Sequence, residues 1–209
     1  MNGYFVTGTD TGVGKTYVAA ALVRHVRAHG KKVLGFKPIE TGCGAELLGP
    51  DQKVLRDAAG GWQTGPLAGV YRLRDPIAPF VAARDEGLTI DIDHIVSLAR
   101  RADADFTVVE GAGGWRVPIT DSADISTLAG RLAMPVVIVA RAGLGTINHT
   151  LLTIEAVERD GCSVAAIVLS RRPEEDRAFA FQNAAEIGRR WDGGVVVFDT
   201  DPTVLDCLL

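Results

Sequence analysis

Short apolar runs alternate along this chain with longer segments in which apolar and polar residues mix at helical spacing. Six of the short runs are rich in valine and other β-branched residues, and turn residues bound them. Such runs are typical of strands that are buried on both faces of a sheet. The predicted strands are GYFVTG, KKVLGFKP, DFTVVEG, MPVVIVAR, SVAAIVLS and GVVVFD.

The longer segments predict helices between these strands. In the first segment, Val18, Leu22 and Val26 recur at helical spacing, and Gly30 marks a stop. Further helices are predicted over residues 51–59, after Pro79, and over 90–101, 122–132, 146–159 and 174–191. This alternation predicts an α/β fold, a mostly parallel sheet with helices on both faces, formed by one domain over residues 1–209.

Composition narrows the classes of function. Hydrophobic residues make up 47% of the 209 positions, charged residues 23%, and the net charge is −4. This acidic balance indicates neither a nucleic-acid nor a membrane partner. Cys43, Cys162 and Cys207 are widely spaced, which indicates a reducing compartment and no metal-ligand pattern. Neither a membrane-spanning apolar run nor the pattern of a signal peptide is present, so we expect a cytoplasmic enzyme or ATPase.

The first predicted strand is followed by GTDTGVGKT, residues 8–16, which is similar to a phosphate-binding loop (P-loop). The usual pattern G-x-x-x-x-G-K-[ST] requires glycine at position 9, where Thr9 stands directly after Gly8. The glycines allow backbone N–H groups to surround an anion at the start of the next helix. Lys15 would hold the terminal phosphates and Thr16 would offer a hydroxyl to Mg²⁺. The alternative is a glycine-rich turn with a surface lysine.

Polar residues also follow the second and third predicted strands. Lys37 ends the second strand, where its ammonium would stabilise a transferring phosphoryl group, unless it is only a solvated lysine. Glu110 ends the third strand, where P-loop enzymes often place a Mg²⁺ carboxylate, and the alternative is an exposed glutamate in a flexible turn. The glycines that follow it would let a ligand approach the backbone. Asp51 is either a second metal carboxylate or a helix N-cap.

The fourth predicted strand runs into ARAGLGTINHT. An anionic group of a substrate would fit the start of the following helix, which either Thr146 or Asn148 would cap. His149 is expected to be a structural or helix-surface histidine and not a catalytic base, and Cys43 is expected to be non-catalytic. Trp115 belongs either to the core or to a pocket wall.

Four segments together, VTGTDTGVGKT, KPIETG, VEGAGGW and LGTINHT, resemble the ATP-dependent dethiobiotin synthetases in order and spacing. The resemblance covers roughly residues 4–169. It implies an enzyme that takes 7,8-diaminopelargonate, CO₂ (or bicarbonate) and MgATP and closes a ureido ring. One amine would capture CO₂ as a carbamate, the carbamate would attack the γ-phosphoryl group, and the second amine would close the mixed anhydride.

The resemblance also implies roles for residues at the matching positions. Lys15 and Lys37 would be catalytic, and Thr16, Asp51 and Glu110 would hold Mg²⁺. The nucleotide would contact Thr11, Gly12, Val13, Gly14, Lys15, Thr16, Tyr17, Asp51, Glu110, Gly111, Ala112, Gly113, Ser170 and Arg171. The diamine would contact Thr11 and Thr41 of one chain and Gly145, Thr146, Ile147 and Asn148 of the neighbouring chain of a homodimer.

One departure from the family affects the nucleotide base. Some members end the strand after Gly161 with an asparagine that binds adenine, whereas this chain continues as Leu169-Ser170-Arg171-Arg172. We therefore expect loose recognition of the base.

Three alternatives share the P-loop. A partitioning or positioning ATPase, which acts as a partner-binding switch, carries a lysine at the position that Asp10 holds here, and that lysine is absent. A cobyrinate-type amide ligase carries a glutamine-hydrolysing domain, for which 209 residues are expected to leave no room. A degenerate paralogue would keep the nucleotide pocket without the activity.

Overall fold

The computed structural model describes residues 1–44 and 46–209. Its centre is a sheet of six parallel strands in the order β2-β5-β1-β6-β7-β8. These strands are β1 (Gly3–Gly8), β2 (Val33–Phe36), β5 (Phe106–Gly114), β6 (Val136–Arg141), β7 (Val164–Ser170) and β8 (Gly194–Phe198). All six predicted strands are confirmed, and β1 occupies an interior position where the strand order reverses.

Helices cover both faces of this sheet. They are α1 (Lys15–Ala28), α2 (Pro50–Ala58), α3 (Pro79–Asp85), α4 (Ile92–Arg101), α5 (Ile125–Leu132), α6 (Thr146–Arg159) and α7 (Arg177–Gly188). Neighbouring strand residues face opposite sides: Phe5 and Val109 belong to the core beneath α4–α7, while Val6 and Val108 belong to the core beneath α1 and α2. The predicted fold class, a mostly parallel sheet with helices on both faces, is confirmed.

Three helices begin later than their apolar pattern predicts. Asp91, Asp124 and Asp176 each stand immediately before a helix, and each carboxylate accepts a hydrogen bond from a backbone N–H of the first turn. An aspartate at this position satisfies a donor that has no partner inside the helix, so the helix starts after it. The predicted helix 174–191 also ends earlier, at Gly188.

A small second sheet lies beyond the end of β2. Its two parallel strands, β3 (Ile39–Thr41) and β4 (Tyr71–Leu73), each have three residues and pair Ile39 with Tyr71. The sequence predicts neither strand, because so short a strand has almost no periodicity. Short 3₁₀ segments occupy Gly65–Ala68 and Pro202–Leu208. Within the described ranges, the helices are all too short or too polar to cross a membrane.

Candidate active site

The candidate site lies at the carboxyl ends of β1, β2 and β5, where parallel α/β sheets bind ligands. A cavity of about 330 Å³ opens there. Its walls come from the P-loop, the β2–α2 segment and the end of β5: Thr11, Gly12, Gly14, Lys15, Thr16, Tyr17, Lys37, Glu40, Thr41, Asp51, Glu110, Ala112 and Gly113.

The P-loop has the backbone geometry of an anion cradle. Gly12 and Gly14 adopt positive φ angles of 72° and 96°, which glycine reaches without strain. Among the described residues, the N–H groups of Gly12, Val13 and Gly14 donate to no acceptor, so they are available to phosphate oxygens. Lys15 begins α1, and its Nζ donates to the carbonyl of Asp10 at 2.9 Å.

Four side chains converge at the back of the cavity. Lys37 Nζ lies 2.6 Å from Glu110 Oε1 and 3.4 Å from Asp51 Oδ2. The Thr16 hydroxyl donates to the same Glu110 oxygen at 2.8 Å. The pairing of Phe36 with Val109 explains the closeness of Lys37 and Glu110, because each residue directly follows its strand partner. Lys37 Nζ also lies 3.3 Å from the Gly111 carbonyl.

The two lysines have different electrostatic surroundings. Burial alone would lower the pKa of Lys37, but the charges of Glu110 and Asp51 and the hydrogen bond to Glu110 raise it above its usual value. Lys37 therefore stays cationic although only 4% of it is exposed. Burial and repulsion from Lys37 lower the pKa of Lys15 to about 8, and the surrounding carboxylates only partly oppose this. Phosphate oxygens would favour the charged form of Lys15.

Asp51 is not a helix cap, so the alternative of an N-cap role is wrong. The N-cap position of α2 belongs to Gly49, which has no side chain to offer. The carboxylate of Glu40 caps the helix instead, because its Oε1 accepts from the Asp51 N–H at 2.9 Å and its Oε2 from the Gln52 N–H at 2.8 Å. Asp51 is therefore free to point its carboxylate at Lys37. The sequence alone predicts no role for Glu40, and the only signal is its place in KPIETG, three residues after Lys37.

The donor set suits a hard divalent cation. Glu110 is 1% exposed, and its Oε2 has no hydrogen-bond partner among the described residues. Burying a carboxylate oxygen without a partner is costly, and a bound cation would offset that cost. The described part of the chain contains no group of three His, Cys, Asp or Glu that would complete a metal site alone. Two carboxylates and one hydroxyl match Mg²⁺, which usually takes its remaining ligands from phosphate and water.

A second cavity, of about 550 Å³, lies beside the P-loop and is lined by Tyr17, Ser170 and Arg171. Ser170 packs against Gly14 so closely that a Cβ there would lie 2.4 Å from its Oγ. The Arg171 guanidinium is engaged inside the protein, with Asp199 Oδ2 at 3.2 Å and the Glu175 carbonyl at 2.7 Å. The cavity has the position of a nucleoside pocket beside a phosphate site.

Gly145, Thr146, Ile147 and Asn148 do not line either cavity. They begin α6, which follows β6 on the other side of β1 from β5 and β2. The predicted capping roles of Thr146 and Asn148 are wrong, since Gly145 is the N-cap residue and no side chain caps α6.

The remaining candidates have structural surroundings. His149 is exposed on α6, as expected. Trp115 is buried in the core against the edge of Phe5, and its indole N–H donates to Asp160 Oδ2 at 2.7 Å. Burial raises the pKa of the Cys43 thiol to about 11, which agrees with a non-catalytic cysteine.

The sheet order, the P-loop and the carboxylate-lysine cluster together define a P-loop nucleotide-binding protein. The family model described as "AAA domain" matches residues 2–190. The chain is 49% identical over 193 residues to the ATP-dependent dethiobiotin synthetase BioD of Anaeromyxobacter dehalogenans (strain 2CP-C), covering 90% of this chain and 85% of that protein. It is 41% identical to the enzyme of the same name from Aromatoleum aromaticum, covering 80% and 77%. The chain belongs to the ATP-dependent dethiobiotin synthetase family.

Similarity to solved structures extends further, at low identity. The MinC:MinD cell division protein complex of Aquifex aeolicus contains a chain with a TM-score of 0.56 and 14% identity, covering all of this chain and 85% of that one. This likeness shows the shared fold alone and gives no support to a switch ATPase.

Proposed function

We propose that this chain makes dethiobiotin from 7,8-diaminopelargonate, CO₂ and MgATP. The observation that supports this most directly is the convergence of Lys15, Lys37, Thr16, Asp51 and Glu110 on one cavity beside a P-loop. Membership of the dethiobiotin synthetase family supplies the reaction, and this cavity contains the charges that the reaction needs.

In the proposed reaction, one amine of the diamine captures CO₂ as a carbamate and releases a proton. A carbamate oxygen attacks the γ-phosphorus of ATP, the bond to the bridging oxygen breaks, and ADP leaves. The second amine then attacks the carbonyl carbon of the mixed anhydride, loses a proton, expels phosphate and closes the ureido ring. The attack on ATP brings anionic oxygens together, and the two amine attacks develop negative charge on oxygen, so fixed cations that stabilise this charge lower the barriers.

Lys15 and Lys37 would supply these cations from two sides. Lys15 begins α1 at the P-loop and would bind the terminal phosphates of ATP. Lys37, which is buried and stays charged beside Glu110, would stabilise the carbamate and the transferring phosphoryl group. Because its ammonium is already held in place, little reorganisation is needed when the charge develops.

Thr16, Asp51 and Glu110 would hold Mg²⁺, and the unpartnered Oε2 of Glu110 supports this assignment. The ion would neutralise charge on the β- and γ-phosphates and orient them for in-line transfer. Glu110 and Asp51 also contact Lys37 Nζ, so the same carboxylates would keep the metal and the catalytic cation at a fixed separation.

The diamine would contact Thr11 and Thr41, and both residues line the smaller cavity. Its carboxylate would reach the uncapped N-terminus of α6 from a second copy of the chain, because residues 145–148 of the same chain do not line that cavity. Leu144, directly before this segment, is 88% exposed, and Leu152 on the same helix is 56% exposed. An exposed leucine beside an uncapped helix start, with a second one further along the same helix, favours a homodimer interface there.

The test is phosphate release from MgATP with bicarbonate, with and without the diamine, combined with mass-spectrometric detection of dethiobiotin. We expect phosphate and dethiobiotin in equal amounts, and only when the diamine is present. Phosphate release at the same rate with and without the diamine would instead indicate an ATPase switch. A chain that binds nucleotide but releases no phosphate would indicate a degenerate paralogue.

A further inference from the structure

The first turn of α2 is held by a residue from outside the helix. Gly49 at its N-cap has no side chain, so the N–H groups of Asp51 and Gln52 depend on the Glu40 carboxylate, which binds both of them. Glu40 belongs to β3 and is 5% exposed. One buried carboxylate therefore fixes two consecutive peptide groups of the turn that presents Asp51.

We call these two hydrogen bonds to the Glu40 carboxylate the Glu40 clamp, and Gly49 and Gln52 pack closely around it. A Cβ at Gly49 would lie 2.3 Å from Glu40 Oε2, so only glycine leaves room for the carboxylate. Gln52 ties the same turn back to the sheet, because its side-chain amide donates to the carbonyls of Lys37 at 3.2 Å and Tyr71 at 3.1 Å. Its amide oxygen accepts from the Gly49 N–H at 3.2 Å. The start of α2 and the segment after Lys37 thus form one connected unit.

This connection sets where the Asp51 carboxylate lies. Its Oδ2 is 3.4 Å from Lys37 Nζ, yet the Asp51 side chain is 42% exposed and has no other ion-pair partner among the described residues. An exposed aspartate with one long contact would sample several rotamers if its backbone were loose. The Glu40 clamp removes the backbone part of that freedom.

We propose that Glu40 is a positioning residue for the metal site: by clamping the N–H groups of Asp51 and Gln52, it holds the Asp51 carboxylate where a divalent cation needs it. The inference rests on the proposed function, since it takes Asp51 as a Mg²⁺ ligand. Glu40 lines the same cavity, but within the described residues it forms no ion pair with Lys37, so the role proposed for it runs through the backbone of α2.

The experiment measures binding of Mn²⁺, a spectroscopically visible substitute for Mg²⁺, to the full chain saturated with ADP, by electron paramagnetic resonance. Glu40→Ala should weaken Mn²⁺ binding by about 10–100-fold, the usual effect of removing a residue that supports a metal ligand. Glu40→Gln should lie between wild type and Glu40→Ala, because its amide oxygen accepts only one of the two N–H groups. ADP affinity without metal should stay unchanged in both variants.

Asp91→Ala is the matched control, because Asp91 caps α4 away from the cavity, and its carboxylate accepts the His94 N–H at 2.9 Å. This control should lose stability and keep wild-type Mn²⁺ affinity. Wild-type Mn²⁺ affinity in Glu40→Ala, together with a loss of stability, would make Glu40 a simple helix cap and overturn the proposal. If Glu40→Ala does not fold, the Mn²⁺ affinity of Glu40→Gln decides in the same way.

Asp51→Asn separates this proposal from the proposed function. Weakened Mn²⁺ binding in Asp51→Asn, with wild-type binding in the Glu40 variants, would refute only the positioning role. Unchanged Mn²⁺ binding in Asp51→Asn would refute Asp51 as a metal ligand and the positioning role with it, and no Mn²⁺ binding by wild type with ADP would refute the metal site itself.

Discussion

Lys37 combines near-complete burial with a retained positive charge, and this combination makes it the sharpest test at the scale of single residues. We predict that Lys37→Ala loses about 2.7–4 kcal/mol of transition-state stabilisation, roughly 10²–10³-fold in kcat, as expected for one missing preorganised donor. Nucleotide affinity should change little, because the P-loop binds the phosphates. Steady-state kinetics with the diamine and a separate ADP titration measure the two effects.

Lys53→Ala serves as the control for this variant, because Lys53 is an exposed lysine on α2 that lines neither cavity. It should keep wild-type kcat. Turnover near the wild-type rate in Lys37→Ala would remove Lys37 from the mechanism, and a lost ADP affinity would assign it to nucleotide binding and not to stabilisation of the transition state.

The cysteines give a second prediction at this scale. Cys43 is buried, and its burial and the nearby Glu40 carboxylate raise the pKa of its thiol to about 11, whereas Cys207 is exposed. Because the thiolate is the reactive form, iodoacetamide at pH 8 should modify Cys207 before Cys43. Peptide mass mapping over time gives the order, and Cys43→Ala should keep turnover. Early alkylation of Cys43 with loss of activity would contradict its non-catalytic role.

The helix caps determine where individual helices begin and how stable they are. Asp124 Oδ1 accepts the N–H of Thr127 at 3.0 Å and so sets the start of α5. We predict that Asp124→Ala lowers the free energy of unfolding by about 0.5–2 kcal/mol, measured by urea denaturation at pH 7. Asp121→Ala, in the preceding exposed loop, should change it by less than about 0.5 kcal/mol. Equal losses in the two variants would show that the cap contributes nothing specific.

The difference between wild type and Asp124→Ala should also depend on pH. Burial raises the pKa of Asp124, but hydrogen bonds from Ser126, Thr127 and Arg116 outweigh burial and lower it overall. A carboxyl group whose pKa is lower in the folded state stabilises the fold above its unfolded pKa, about 3.9. The difference should therefore shrink as the pH falls through about 4 and below, and persist unchanged up to neutral pH.

In the proposed nucleoside pocket, recognition of the base would depend on Ser170 at the end of β7 and on Arg171 directly after it. Ser170 packs against Gly14, and Arg171 is engaged by carbonyl groups and Asp199, so neither offers the paired donor and acceptor of an asparagine amide. We predict that CTP and GTP replace ATP as phosphoryl donors at comparable rates. Diamine-dependent phosphate release with each nucleotide measures this, and strict selectivity for ATP would contradict it.

The elements differ in how far the sequence determines them. Valine-rich strands and amphipathic helices are local patterns, so all six main strands and every predicted helix are present. The short strands β3 and β4 are different, because Ile39 and Tyr71 pair across a long intervening segment and neither run has a local signal. The clamp between Glu40 and α2 depends on that same long-range packing, which is why the chain's motifs indicated Lys37 and Asp51 but not the residue between them.

In the whole molecule, pairing between distant parts of the chain also limits what the sequence predicts about the site. Lys37 and Glu110 are 73 residues apart in the chain and become neighbours only because β2 pairs with β5. The motifs predicted which residues matter, whereas the strand order decides which of them meet. The strand order also leaves residues 145–148 outside the cavity that contains Lys37. A second copy of the chain is the simplest source of that segment.

A homodimer that shares its diamine sites between two chains has consequences for mass and for turnover. Wild type should have about twice the 22.1 kDa mass of one chain, and Leu144→Asp should yield the monomer mass, because it places a charge at an 88% exposed leucine beside the start of α6. Light scattering after size exclusion measures the mass. The variant should keep ADP affinity and lose diamine-dependent turnover, since each site would lack the helix start of its partner.

Leu88→Asp, at a 46% exposed leucine elsewhere, is the control and should remain dimeric. A monomeric wild type with full turnover, or a fully active monomeric Leu144→Asp, would place the whole diamine site within one chain.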